Sequence, residues 1–192
     1  NIMQALYNAV DMYFAGKFMG TAGLTGVSVS GPVINVLLMF VSGFGVGISV
    51  VVAKYASADD SELKKAANTA IVMTMTAAAV ISVVGFAMSS AILRLIATPE
   101  EAMPYAAEYL KIIFCGMIFT VGYNLICALQ RGLGDSKSSM MFVVAATMGN
   151  IVLGYIFMGI IKMGGAGAAF STLINQALSF ILGIIYFRKN KH

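Results

Sequence analysis

Five stretches of this chain contain no charged residue: Phe18 to Ala53, Ala66 to Leu93, Ile112 to Gln130, Ser138 to Ile161 and Met163 to Phe187. Each is close to or beyond the ~20 residues that an α-helix needs to cross the hydrocarbon layer of a membrane. Composition agrees. Of 192 residues 59% are hydrophobic and 10% charged, and the mean hydropathy is +0.89; a soluble domain carries about 25% charge to coat its surface. Soluble globular, disordered, collagen-like and disulfide-scaffold folds are excluded on these grounds. The ~10-residue alternating segments of a membrane β-barrel are missing too. The expected fold is all-α, a polytopic membrane protein.

The runs predict five full helices, at roughly 24–53, 66–97, 105–130, 139–161 and 164–187. A sixth segment, 1–18, is too short and too polar to be a complete span. It opens on Asn1 rather than Met, already inside an apolar run, so the chain is expected to be a fragment whose first turns are missing. Between the helices, Ser61 is a candidate cap, Pro99 is placed in a first helical turn, and Gly132 to Lys137 reads as a glycine-rich turn. Gly16/Gly20 and Gly43/Gly47 are GxxxG pairs, read as packing or hinge positions. Cys115 and Cys127 are twelve residues apart in one apolar run, about 120° apart on a helix. Two buried thiols are expected, with no disulfide.

Net charge is +4, but the basic residues are scattered singly between apolar runs, which suits loops orienting a membrane protein better than nucleic-acid binding. Lys54, Lys64, Lys65, Arg131, Lys137, Arg188, Lys189 and Lys191 fall on one side; Lys17, Arg94, Lys111 and Lys162 fall on the other. The positive-inside rule then puts the C-terminus of this segment in the cytoplasm of a multi-pass protein of the cell (inner) membrane.

Polar side chains are costly in hydrocarbon unless they face protein or a water-filled cavity. Gln4, Tyr7, Asn8 and Asp11 share one face of the first helix, and Ser28, Asn35, Ser42 and Ser49 recur every seven residues in the second. Thr120, Tyr123, Asn124 and Cys127 follow in the fourth, Thr147 and Asn150 in the fifth, and Thr172, Asn175, Gln176 and Ser179 in the sixth. Tyr7, Asn8, Asn35, Asn124, Asn150 and Gln176 are the expected lining of a substrate cavity. Asp11 stands apart as the one acid in a helix body well away from a loop. An ionisable group there is a functional candidate, because a proton or bound cation that removes its charge couples to conformation when two states differ in affinity for the ion. Catalytic and metal sites are not expected: the only His is His192, and Gly43 to Gly47, Gly132 to Ser138 and Gly164 to Gly167 lack the context of nucleotide-binding loops.

Several motifs, in this order and at these spacings, carry a resemblance. They are Tyr7-Asn-Ala-Val-Asp11-Met-Tyr-Phe-Ala-Gly16, Gly43-Phe-Gly-Val-Gly47, and Leu129-Gln-Arg-Gly-Leu-Gly-Asp135-Ser-Lys137. Gly149-Asn150-Ile-Val-Leu and Gly164-Gly-Ala-Gly-Ala-Ala-Phe-Ser-Thr172-Leu-Ile-Asn-Gln176 complete the set. Over nearly its whole length the chain resembles the N-terminal lobe of the multidrug and toxin extrusion (MATE) family of secondary transporters. The resemblance implies that residues 1–192 form a six-helix bundle, one lobe of a twelve-helix transporter, with the C-terminal lobe of the same polypeptide as its missing partner. It implies exchange of organic cations or drugs for H+ or Na+ by alternating access, with no cofactor beyond the coupling ion and no enzymatic step. It also implies an ion-coupling site in which Asp11, Asn150 and Thr172 match three family positions. The fourth, an acid in the family, is Gly154 here, which favours proton coupling or a cation site in the other lobe. Ser139 also replaces the usual Pro after the Gly-Asp-Ser-Lys turn. One alternative is a lipid-linked oligosaccharide flippase or polysaccharide exporter of the same superfamily, although no Arg or Lys occupies a helix centre to meet a polyanion. Others are a non-transporting membrane scaffold or a half-size protein that works as a homodimer.

Overall fold

The computed structural model describes residues 2–55 and 60–189; the side chains of residues 2–8, 60, 139, 187 and 188 fall outside that description. The described residues fold into helices α1 (Ile2–Tyr55), α2 (Asp60–Leu95), α3 (Met103–Cys115), α4 (Met117–Gly132), α5 (Ser136–Gly154), which runs on into a π-helical turn at Tyr155–Ile160, and α6 (Gly164–Lys189). Among them there is no strand. Four helices are long and apolar enough to cross a membrane, or five spans when α3 and α4 are taken as one bent unit.

A straight helix with the 54 residues of α1 would run about 81 Å, far beyond a ~30 Å hydrocarbon layer. Gly20 resolves this: at φ 69° and ψ −161° it breaks the helix in a region that glycine enters without steric cost. The two arms, 2–19 and 21–55, fold back on each other. Leu24 comes within 3.6 Å of where a side chain on Gly16 would begin, and Phe14, Val27 and Ile34 share one core cluster. Of the two GxxxG pairs, Gly16/Gly20 therefore marks a hinge. Gly43 and Gly47 pack against nothing within 4 Å and line an open groove instead.

Three local expectations are corrected. The single helix expected over 105–130 is two helices bent by 52° around Gly116. The bend persists because Phe114 O, left without its helical donor, accepts a hydrogen bond from Ser82 Oγ at 2.6 Å. Pro99 lies in the turn before α3, whose first turn instead holds Pro104. Cys115 is exposed while Cys127 is buried, and neither forms a disulfide; α3 buries Ala106, Tyr109, Leu110, Ile113 and Phe114, and Cys115 falls outside that stripe. The Gly132 turn ends in a cap, with Asp135 Oδ1 accepting from Ser138 N at 3.1 Å ahead of α5.

The main core draws on every part of the bundle near the Gly20 end, including Phe14, Leu93, Leu110, Phe114 and Met158. Glycines set the closest approaches there. A Cβ on Gly26 would lie 2.8 Å from Tyr105 Cβ, and one on Gly165 would lie 2.7 Å from Tyr105 O. The second arm of α1 and the start of α6 thus both press on the backbone of α3 at Tyr105. Tyr109 stands one turn beyond that contact and Thr172 two turns beyond Gly165, and both side chains reach Asp11.

Candidate functional site

Asp11 precedes the Gly20 hinge by nine residues, Thr172 lies eight residues into α6, and Asn150 lies ten residues before the end of the π-helical turn. At 1.5 Å per residue these separations are about 12–15 Å, so the three lie at similar distances from the Gly20 end of the bundle. They are brought together. Asn150 Nδ2 donates to Thr172 Oγ1 at 3.0 Å, and Thr172 Oγ1 donates to Asp11 Oδ2 at 3.3 Å. Tyr109 OH donates to the same Oδ2 at 3.4 Å. Asp11 is 1% exposed and Asn150 0%.

The hydrogen bonding is one-sided. Both donors converge on Oδ2, while Oδ1 of Asp11 and Oδ1 of Asn150 are buried without a hydrogen-bond partner. Buried acceptors are rarely left so, since an unmade hydrogen bond costs about 1–3 kcal/mol. Two such oxygens in one connected group suit a proton or a small hard cation, which takes oxygen ligands. Oδ1 can accept either one without disturbing the bonds held by Oδ2. No group of three or more His, Cys, Asp or Glu side chains that could hold a metal ion occurs among the described residues.

Gly154, where the resemblance implies a second acid, faces the ring of Phe14. A Cβ there would meet Phe14 Cδ2 at 3.2 Å and Met158 Cε at 3.4 Å. Phe14 also stacks on Phe18 and lies beside Tyr155. Aromatic packing therefore occupies the surroundings in which a second carboxylate would stand, and Asp11 is the only carboxylate of the group.

Of the expected substrate-lining residues, the structure describes the side chains of Asn35, Asn124, Asn150 and Gln176. Gln176 Oε1 accepts a hydrogen bond from Thr120 Oγ1, and Asn124 Nδ2 donates to Thr120 O at 2.8 Å, so Gln176 and Asn124 meet at the α4/α6 interface. Gln176 also lines a cavity of about 40 Å³ that it shares with Asp11, Tyr109, Thr120 and Thr172. Asn35 is exposed on the second arm of α1. Tyr7 and Asn8 belong to the first turns of α1, where side chains lie outside the described residues. A much larger groove of about 950 Å³, drug-sized by volume, runs between α1 and α2 past Met39, Phe40, Phe44 and Met73. It is apolar, and none of the expected lining residues whose side chains are described lines it.

Tyr109 was not among the residues expected from sequence. A signal existed only on the unbroken helix expected over 105–130, where Tyr109, eleven residues before Thr120, would share the polar face of Thr120.

The MatE family model matches residues 1–156. A curated relative, "Probable multidrug resistance protein YpnP" of Bacillus subtilis (strain 168), is 33% identical over 192 residues, spanning 100% of this chain and 43% of its own. "Probable multidrug resistance protein YoeA" of the same organism is 30% identical over 197 residues, spanning 100% of this chain and 42% of its own. Among solved structures, "Inward-facing conformation of a multidrug resistance MATE family transporter of the MOP superfamily" superimposes with a TM-score of 0.91 at 25% identity, over 96% of this chain and 42% of that one. The chain thus spans less than half the length of the curated relatives it matches.

Proposed function

The chain belongs to the MatE family, and from that premise we propose that it is the ion-coupling N-terminal lobe of a multidrug efflux antiporter. In this reading the complete protein is a multi-pass transporter of the cell membrane that exchanges small organic cations for H+ or Na+ by alternating access. The C-terminal end of this segment faces the cytoplasm, and a second six-helix lobe closes the substrate path.

One observation carries the reading: Asp11, buried inside the bundle, keeps Oδ1 unpaired while Thr172 and Tyr109 hold Oδ2. A carboxylate fixed this way binds a cation at one oxygen and reports its arrival through the other, to α6 and α3. Through Thr172 the signal extends to Asn150 on α5. The ion alters the conformational equilibrium only by binding one state better than the other. Four elements meeting at one carboxylate give that difference a structural basis. The single-carboxylate surroundings, with Phe14 against Gly154, suit a proton better than Na+.

The reading is tested with the complete polypeptide in cells stripped of efflux pumps, comparing wild type with Asp11→Asn for ethidium extrusion under imposed pH and sodium gradients. Wild type is expected to extrude with one gradient and Asp11→Asn with neither. Equal extrusion by the two proteins would remove Asp11 from the coupling role, and a wild type driven by neither gradient would end the antiporter reading.

A further inference from the structure

The 40 Å³ cavity beside Asp11 is far too small for a drug. A buried water needs about 10–15 Å³ of such volume, so the cavity has room for two or three waters given polar partners. Its polar lining falls into two hydrogen-bonded groups, Asp11 with Tyr109 and Thr172, and Thr120 with Gln176, and its apolar lining includes Leu37 and Met117. Thr120 donates its hydroxyl proton to Gln176 Oε1, a bond that does not use the Gln176 amide nitrogen, which remains able to donate to water.

Past this pair the two helices close tightly. A Cβ on Gly122 would lie 2.7 Å from the Phe180 ring, and one on Gly183 would lie 2.8 Å from Ile126. The Thr120–Gln176 pair is therefore the polar contact at which the cavity meets the tight α4/α6 packing, on the side that leads to Gln130 and Arg131. Asn124, one turn further along α4, ties its amide to Thr120 O and carries polar character into that interface.

We propose that Thr120 and Gln176 form the gate of a hydrated chamber through which the coupling cation, H+ or Na+, passes between Asp11 and the Arg131 end of the bundle. The inference rests on Asp11 being the coupling residue. For a proton, the O–H bond at Asp11 Oδ1 breaks, the electron pair stays on the carboxylate, and a chamber water becomes hydronium and passes a proton to the next water. For Na+, the same waters complete the coordination shell that Asp11 and Asn150 begin. Parting of α4 from α6 separates Thr120 from Gln176 and extends the water column, so the gate links helix movement to release of the ion.

The test uses the complete polypeptide in proteoliposomes, with ethidium as the transported probe and separate pH-gradient and sodium-gradient arms; the gradient that drives wild type names the cation. Gln176→Leu and Thr120→Val are expected to slow gradient-driven efflux by roughly tenfold, the scale of one lost hydrogen bond. Ethidium–ethidium exchange without a gradient is expected to stay at the wild-type rate in Thr120→Val, and Thr120→Ser to restore driven efflux. Wild-type driven efflux in both Gln176→Leu and Thr120→Val would overturn the gate, as would equal slowing of driven efflux and exchange in Thr120→Val. Asp11→Asn in the same vesicles separates the two ideas. If it alone abolishes driven efflux, Asp11 keeps its role and the gate falls; if it pumps like wild type, the reading beneath the gate fails as well.

Discussion

Thr172 Oγ1 lies 3.3 Å from Asp11 Oδ2, joining two residues 161 positions apart in the chain. The same hydroxyl accepts from Asn150 Nδ2 at 3.0 Å. One small side chain thus orients the carboxylate and ties α6 to both α1 and α5.

Replacing Thr172 with Val keeps its shape and removes both hydrogen bonds, leaving the Asn150 amide unpaired and Asp11 with Tyr109 alone. The expected loss is about 1–3 kcal/mol, seen as a lower midpoint in thermal unfolding of the purified protein. Thr172→Ser, which keeps the hydroxyl, is expected to recover most of it. Equal midpoints for Val and wild type would show that the hydroxyl holds nothing together.

Gly26 is where α1 touches the backbone of α3, with Tyr105 Cβ 2.8 Å and Ala106 N 3.0 Å from any added Cβ. Gly26→Val is expected to push α3 outward and carry Tyr109 away from Asp11, destabilising the protein by about 1–3 kcal/mol and impairing ion-driven transport. Gly43→Ala, with nothing within 4 Å, is the control and is expected to stay within about 0.5 kcal/mol of wild type or to stabilise slightly. Unfolding midpoints and efflux rates of the two variants, measured side by side, decide this.

At the other end of the bundle, Asp135 caps α5 through Ser138 N and also accepts from Tyr186 OH at 3.1 Å, joining the start of α5 to the end of α6. Asp135→Ala is expected to cost about 0.5–2 kcal/mol and to speed amide hydrogen exchange in the first turn of α5. Tyr186→Phe removes the tie to α6 and keeps the cap, so its exchange pattern in that turn is expected to stay near wild type. If Tyr186→Phe frays the turn as much as Asp135→Ala, the cap is not what holds it.

Much of this arrangement could be read from the chain. Long uncharged runs dictate membrane helices, and a lone Asp in the body of one is conspicuous because hydrocarbon penalises it. Asn150 and Thr172 stood out as polar residues of their helices, but their grouping with Asp11 came only with the family resemblance. Hidden from the sequence were the features made by contacts between helices. Glycine 116 looks like any other glycine in an apolar run, but at the bend Ser82 from α2 satisfies Phe114 O and Leu173 from α6 packs where a side chain on residue 116 would stand. Likewise the polar residues of the last helix read as one stripe, but Thr172 and Gln176 face the ion cavity while Asn175 turns to Ala146 O on α5. The two pairs differ by roughly 60–100° around the helix, too little to separate by periodicity alone.

Binding of the coupling cation at Asp11 is most directly tested by ethidium-evoked ion movement in proteoliposomes of the complete polypeptide, followed with an internal pH dye and with tracer sodium. Wild type is expected to move one of the two ions whenever ethidium crosses, and Asp11→Asn to move neither while still binding ethidium. Evoked ion movement in Asp11→Asn equal to that of wild type would contradict it.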